Sequence, residues 1–172
     1  MFKLIKNDRI VIDAWKTLTL SKRDTPQSVR LPVGPLLVPL SVWQARRAEL
    51  IHREYEHGWP LGVWLNAEED AEAIAHDIDD LTVIAIEFDK FSGSNGYATA
   101  RLLRERYGYK SELRAFGNVP DEKSSYLRKA GFDAFVVSNH THTRIEAAPS
   151  SRFNFNIIKQ LKAMLHHGAI AG

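Results

Sequence analysis

The sequence contains no cysteine in its 172 residues. Structural disulfides, thiolate zinc sites, a cysteine nucleophile and thiolate-held iron–sulfur clusters or haem are thereby excluded. Long apolar runs are also missing: no stretch reaches the roughly 18 residues that a membrane-spanning helix requires. The start, Met1 to Asp8, has neither the apolar core nor the small-residue cleavage site of a secretory leader. A soluble, cytoplasmic protein without membrane attachment is expected. An excess of one charge is lacking too, since 23 Lys and Arg face 21 Asp and Glu, for a net charge of +2. That balance leaves no basic footprint for nucleic acid.

Apolar residues make up 44% of the chain. A chain of this length can bury about 70% of its surface, enough for one domain with an ordinary core. Residues 1–32 read as a β-hairpin followed by a polar loop. Phe2–Ile5 and Arg9–Ile12 are short apolar segments either side of Lys6-Asn7-Asp8, a tight-turn sequence. Thr19–Pro32 is polar and holds Pro26 and Pro32.

From residue 35 to 137 the rhythm is that of repeated βα units. Leu36–Leu40, Leu61–Leu65, Val83–Phe88, Leu113–Phe116 and Phe132–Val137 are near-continuous apolar runs, the pattern of strands covered on both faces. Helical patterns separate them. Ser41 and Gln44 suggest a capping box ahead of Ala48, Ile51 and Tyr55. Asn66 and Glu69 precede Ala71, Ile74, Ala75 and Ile78 at helical spacing. Gly96–Tyr107 ends at Gly108, and Asn118 with Pro120 opens a segment that stops at Gly131. The expectation is an α/β domain with a mostly parallel sheet of about five strands, open or half-barrel-like, plus the small N-terminal hairpin. Residues 150–167, with Ile157, Leu161, Met164 and Leu165 on one stripe, read as a C-terminal helix that caps the sheet or meets another subunit.

In parallel α/β sheets, ligands bind beyond the carboxyl ends of the strands. The segment after the third expected strand of this core carries Glu87, Lys90, Ser92, Gly93, Ser94, Asn95, Gly96 and Tyr97. Its glycines, hydroxyls and following helix suit a small oxyanion. Arg101, one helical turn on, is a further anion-binding candidate, although Arg101 and Glu105 also read as an i,i+4 pair on a solvated face. The segment is neither a dinucleotide fingerprint nor a P-loop, and no cofactor site is identified. Arg114 lies inside an apolar strand and needs a partner, for which Glu87 is the neighbouring-strand candidate. Glu87 and Arg114 are therefore the candidate catalytic pair. His140 and His142 alternate but lack a third ligand, so no metal site is assigned. The four tryptophans read as core or interface filling.

Several blocks carry a resemblance to a known family: Val83–Phe88, Lys90-Phe91, Gly96-Tyr97, Ala100–Tyr109, Glu112–Ala115 and Gly131–Phe135. With Asp13-Ala14-Trp15 and Pro39–Trp43, they resemble the bacterial family called domain of unknown function 934. The resemblance retains Glu87, Arg101, Arg104 and Arg114. It departs at Gly93-Ser94-Asn95-Gly96, where the family has Asp-Gly-Arg-Gly, and at Asn118, Asp121–Lys123 and Ala130. Members carry the label of oxidoreductases in sulfite reduction, through the proximity of their genes to sulfite reductase genes. What the resemblance implies is a role beside assimilatory sulfite reduction, with sulfite reductase subunits as partners. A cysteine-free chain does not hold the iron–sulfur ligation of a self-sufficient reductase. The expected role is therefore an accessory or small-oxyanion-binding protein. The alternatives are a small-molecule enzyme built on Glu87, Arg114 and the Ser92–Tyr97 loop, or a non-catalytic homodimeric interaction protein.

Overall fold

A computed structural model describes residues 2–89, 95–119 and 124–138. Its strands are β1 (Phe2–Lys6), β2 (Arg9–Val11), β3 (Lys16–Thr17), β4 (Leu36–Pro39), β5 (Leu61–Leu65), β6 (Val83–Phe88), β7 (Glu112–Gly117) and β8 (Ala134–Ser138). The helices are α1 (Leu40–His57), α2 (Asn95–Arg101) and α3 (Ser124–Lys129). The fold is α/β, and the five expected core strands correspond to β4 to β8. The strand count is corrected: the sheet has eight strands in the order β2-β1-β8-β7-β6-β5-β4-β3.

From β3 to β8 the pairs are parallel and follow chain order. The N-terminal hairpin is present, with Asn7 and Asp8 both at positive φ, 51° and 59°, the geometry of a type I′ turn. It is not an appendage, however. β1 pairs antiparallel with β8 along its whole length, so the hairpin extends the sheet. The other addition, β3, is a two-residue edge strand beside β4, too short to leave a periodic signal.

Chain connectivity dictates the curvature. β2 and β3 lie at opposite edges of the sheet, yet only residues 12–15 separate them. A flat sheet of eight strands would place its edges about 34 Å apart at ~4.8 Å per step. The extended chain from Val11 to Lys16 reaches at most about 18 Å. The sheet is accordingly curled into a half-barrel, and residues 12–15 bridge its two edges.

Right-handed crossovers that always step in one direction place every helix on the same face. That convex face carries the main core: Leu36, Val38, Leu61, Val63, Leu65, Ile84, Ile86, Leu113, Ala115 and Phe135, beneath Trp43 and Leu50 of α1 and Ala100 of α2. The alternate residues point into the concave face, where Leu37, Val83 and Ala85 meet Trp15, Trp64 and Phe116. Gly62 sits on that inner face because a Cβ there would lie 2.6 Å from the Val83 carbonyl oxygen and 2.7 Å from Leu37 Cδ2.

Helical detail differs from expectation where tertiary contacts outweigh the local pattern. α1 starts at Leu40 without a side-chain cap and is kinked at Arg46 (φ −134°, ψ 25°). The Arg46 guanidinium donates to both Glu49 carboxylate oxygens and to the Val29 carbonyl, which anchors the long polar loop. The kink turns Val42, Trp43 and Leu50 inward and leaves Ala48 and Tyr55 exposed. The helix expected over Ala71–Ile78 is instead two 3₁₀ turns, Ala71–Ile74 and Ile78–Asp80. Aspartates disfavour helix interiors, and Asp77 and Asp80 are held by α1: Trp43 Nε1 donates to Asp77 at 2.8 Å, and Arg47 pairs with both. α2 runs directly into a π-helical turn, Leu102–Arg106, before stopping at Gly108 (φ 72°). Among the described residues no helix is long and apolar enough to cross a membrane. The expected helix over 150–167 and the histidine pair His140 and His142 lie outside the described residues.

Candidate functional site

Alternation along the strands decides what lines the concave face. β4 contributes Leu37, β5 Trp64, β6 Ala85, β7 Arg114 and Phe116, and β8 Val136. Together with Asp13, Thr17, Thr19 and Gly117 they border a cavity of about 420 Å³. Its walls are largely apolar. The Trp64 and Phe116 rings stand edge to face, 5.9 Å apart at 85°, while the Trp64 indole N–H is taken by the Leu18 carbonyl at 2.9 Å. Phe116 ends close to Gly117, whose left-handed φ of 87° lets the strand stop against the Phe88 backbone; a Cβ there would meet the Phe88 carbonyl oxygen at 2.6 Å.

Arg114 is 2% exposed, so its charge demands compensation. The expected partner is corrected. Arg114 does not pair with Glu87; its Nη1 donates to Asp13 at 2.9 Å, and its Nε and Nη2 donate to one oxygen of Glu112 at 3.0 and 2.7 Å. Lys6 binds the other Glu112 oxygen at 2.7 Å. The sheet register explains the difference. Arg114 lies opposite Ala85, and Glu87 lies opposite Phe116, nearer the carboxyl edge. Burial alone would raise the Glu112 carboxyl, but the hydrogen bonds and charges of Lys6 and Arg114 hold it below the ordinary range. Two cations and two carboxylates thus form an electroneutral chain from the hairpin across the concave face to the bridging segment.

Beside this cavity, at the carboxyl ends of β4 and β5, a smaller hollow of about 220 Å³ is bordered by Thr19, Leu20, Pro39, Ser41, Trp64, Asn66 and Glu69. Trp64 and Thr19 belong to both hollows. Glu69 accepts a hydrogen bond from the Asn66 backbone N–H at 2.7 Å. Burial raises its carboxyl above the usual range and the nearby Glu87 charge adds to this, against that N–H, which favours the ionised form. In the sequence Asn66 and Glu69 read as a helix opening; their position directly after a parallel strand is the signal that marks them as site residues.

The other sequence candidates fall elsewhere. Lys90, Ser92, Gly93 and Ser94 lie outside the described residues. Asn95 and Gly96 open α2 on the convex face, where Gly96 is seated against the Phe88 ring. They do not share a cleft with Arg114, which faces the opposite side of the sheet. Arg101 is exposed and borders a wide groove between α2 and α3 with Tyr97, Leu102, Tyr126 and Lys129. No ion pair joins Arg101 to Glu105 among the described residues; both side chains are exposed. Arg104, from the same stretch, is not a solvated charge. It donates to the carbonyls of Gly131, Tyr109 and Ser111 and to Asp133 at 2.5–2.9 Å, clasping the starts of β7 and β8. Among the described residues no group of three histidines or carboxylates is arranged to hold a metal ion.

A family model described as "Bacterial protein of unknown function (DUF934)" matches residues 62–164. The matched span covers β5 to β8, and with them Trp64, Ala85, Arg114, Phe116 and Val136 of the cavity wall. The curated proteins contain no match to the chain.

Proposed function

We propose that this chain, which belongs to the DUF934 family, is an accessory protein of assimilatory sulfite reduction that binds a small molecule inside its half-barrel. The observation that carries the binding role is the 420 Å³ cavity, a concave and mainly apolar space with a few converging polar groups. The link to sulfite reduction comes from the resemblance of the sequence to proteins whose genes neighbour sulfite reductase genes. Without cysteine, the chain leaves iron–sulfur chemistry to a partner, for which a sulfite reductase subunit is the proposed identity.

The charge arrangement turns the cavity away from free sulfite. Both Arg114 partners are carboxylates within hydrogen-bond distance, so no uncompensated positive charge is left for an oxyanion. Anion binding by Lys90, Ser92, Gly93, Ser94, Asn95, Gly96 and Arg101 is a separate proposal, read from sequence. It is tested by sulfite itself: a rise in melting temperature at millimolar sulfite supports it by mass action, and no rise rejects it.

Catalysis is the second reading, favoured by one observation. Glu69, whose carboxyl burial raises above the usual range, borders a hollow that shares Trp64 with the main cavity. A carboxyl beside such a hollow is placed to exchange a proton with a bound molecule.

The deciding experiment replaces Ala85, 1% exposed on the cavity floor, by Leu. In the source bacterium the variant should fold yet fail to restore growth on sulfate to a strain lacking the gene, while sulfide restores it. Full complementation by a folded Ala85→Leu protein would overturn the binding role, and normal growth of the deletion strain on sulfate would overturn the pathway.

A further inference from the structure

Resting on the reading of the half-barrel cavity as a ligand site, we infer that its ligand is an uncharged, planar, nitrogen-containing ring system. It would lie in the corner made by Trp64 and Phe116, stacked on one ring and edge-on to the other, with an acceptor edge toward Arg114.

Charge argues for neutrality. Lys6, Arg114, Asp13 and Glu112 cancel one another in a chain of hydrogen bonds. A charged ligand would enter a space whose fixed charges are already matched, and would remain buried without a counter-ion.

Donor counting argues for an acceptor edge. A guanidinium carries five N–H groups, of which Nε, one on Nη1 and one on Nη2 are used by Glu112 and Asp13. Among the described residues one N–H on each terminal nitrogen takes no partner, on a side chain 3% exposed that borders the cavity. Buried donors require acceptors, and neutral ring nitrogens or carbonyls supply them without adding charge.

The walls argue for planarity. Trp64 has its N–H committed to the protein, and so offers only ring surface. Phe116 stands almost perpendicular to it. A flat ligand meets one ring face to face and the other at its edge, the two arrangements that aromatic quadrupoles favour. Leu37, Ala85 and Val136 close the remaining sides with aliphatic surface. The volume suits a bicyclic or tricyclic ring system.

Calorimetric titration of the whole chain with four probes tests this: lumichrome and quinoxaline as uncharged planar heterocycles, 2-naphthoate as a planar anion, and 1-adamantanol as a neutral non-planar body. Lumichrome or quinoxaline should bind at least about tenfold tighter than the other two, the weight of one lost aromatic or charge-matching contact. Phe116→Leu should weaken that preferred probe by about tenfold while leaving the melting temperature within a few degrees. Equal or tighter binding of 2-naphthoate or 1-adamantanol, abolished by Ala85→Leu, would overturn the ligand class and leave the cavity reading intact. Binding of none of the four, or binding untouched by Ala85→Leu, would overturn both.

Discussion

Asp13 and Arg114 are 101 residues apart in the chain and 2.9 Å apart in the structure. The pair ties the segment that bridges the two sheet edges to the middle of the sheet, and both residues border the cavity. Asp13 remains one-third exposed, whereas Arg114 and Glu112 are 3% and 15% exposed, so the two bonds of Arg114 differ in energetic weight.

Removing Arg114 should therefore cost more than its hydrogen bonds alone. Arg114→Met strands Glu112 with only Lys6 beside it, and a loss of about 3 kcal/mol is expected. Arg114→Met combined with Glu112→Gln should lose less than the sum of the two single changes. Urea denaturation of the four proteins checks this; strict additivity would show that the pair is not coupled.

Glu112 also sets an acid limit on stability. Its folded pKa lies below its unfolded value of 4.5, so its contribution is complete above that value and is lost as pH falls through the folded one. Denaturation midpoints should be flat from pH 7 to about pH 5.5 and fall on further acidification. Glu112→Gln should flatten that fall, and an unchanged slope in the variant would assign the acid sensitivity to other carboxylates.

Gly62→Ala should destabilise by about 2 kcal/mol through overpacking, because the new methyl meets backbone oxygen as well as the movable Leu37 side chain. Trimming Leu37 to Ala in the same chain should not rescue it, since the Val83 carbonyl stays in the way. Thermal unfolding of both variants decides the point.

The clasp of Arg104 gives a conservative-substitution test. Lysine has three donors on a point charge and cannot span the carbonyls of Gly131, Tyr109 and Ser111 together with Asp133. Arg104→Lys should cost about 1–3 kcal/mol, while Arg101→Lys on the exposed neighbour should stay within about 0.5 kcal/mol. Equal effects would reject the clasp.

Local sequence was sufficient for the parts of the fold that local physics decides. Continuous apolar runs marked β4 to β8, Asn7-Asp8 marked the turn, and Gly108 and Gly131 marked helix stops with left-handed φ. The need of Arg114 for a buried partner was legible too, since an arginine inside an apolar strand cannot stand alone. What local pattern does not record is the side of the sheet toward which a buried residue points, or which distant charge meets it. Near-continuous apolar strands conceal their alternation, so Glu87 on the neighbouring strand reads as the partner although Glu112 and Asp13 fill that role, and the helix start at Asn95 reads as close to Arg114 although it opens on the other face of the sheet. The curl of the sheet, the bridge formed by residues 12–15 and the cavity they enclose arise from the pairing of β1 with β8 and of β3 with β4. The first of these joins opposite ends of the described chain, Phe2 with Ser138, and the second rests on a strand of two residues, so only the folded chain brings them together.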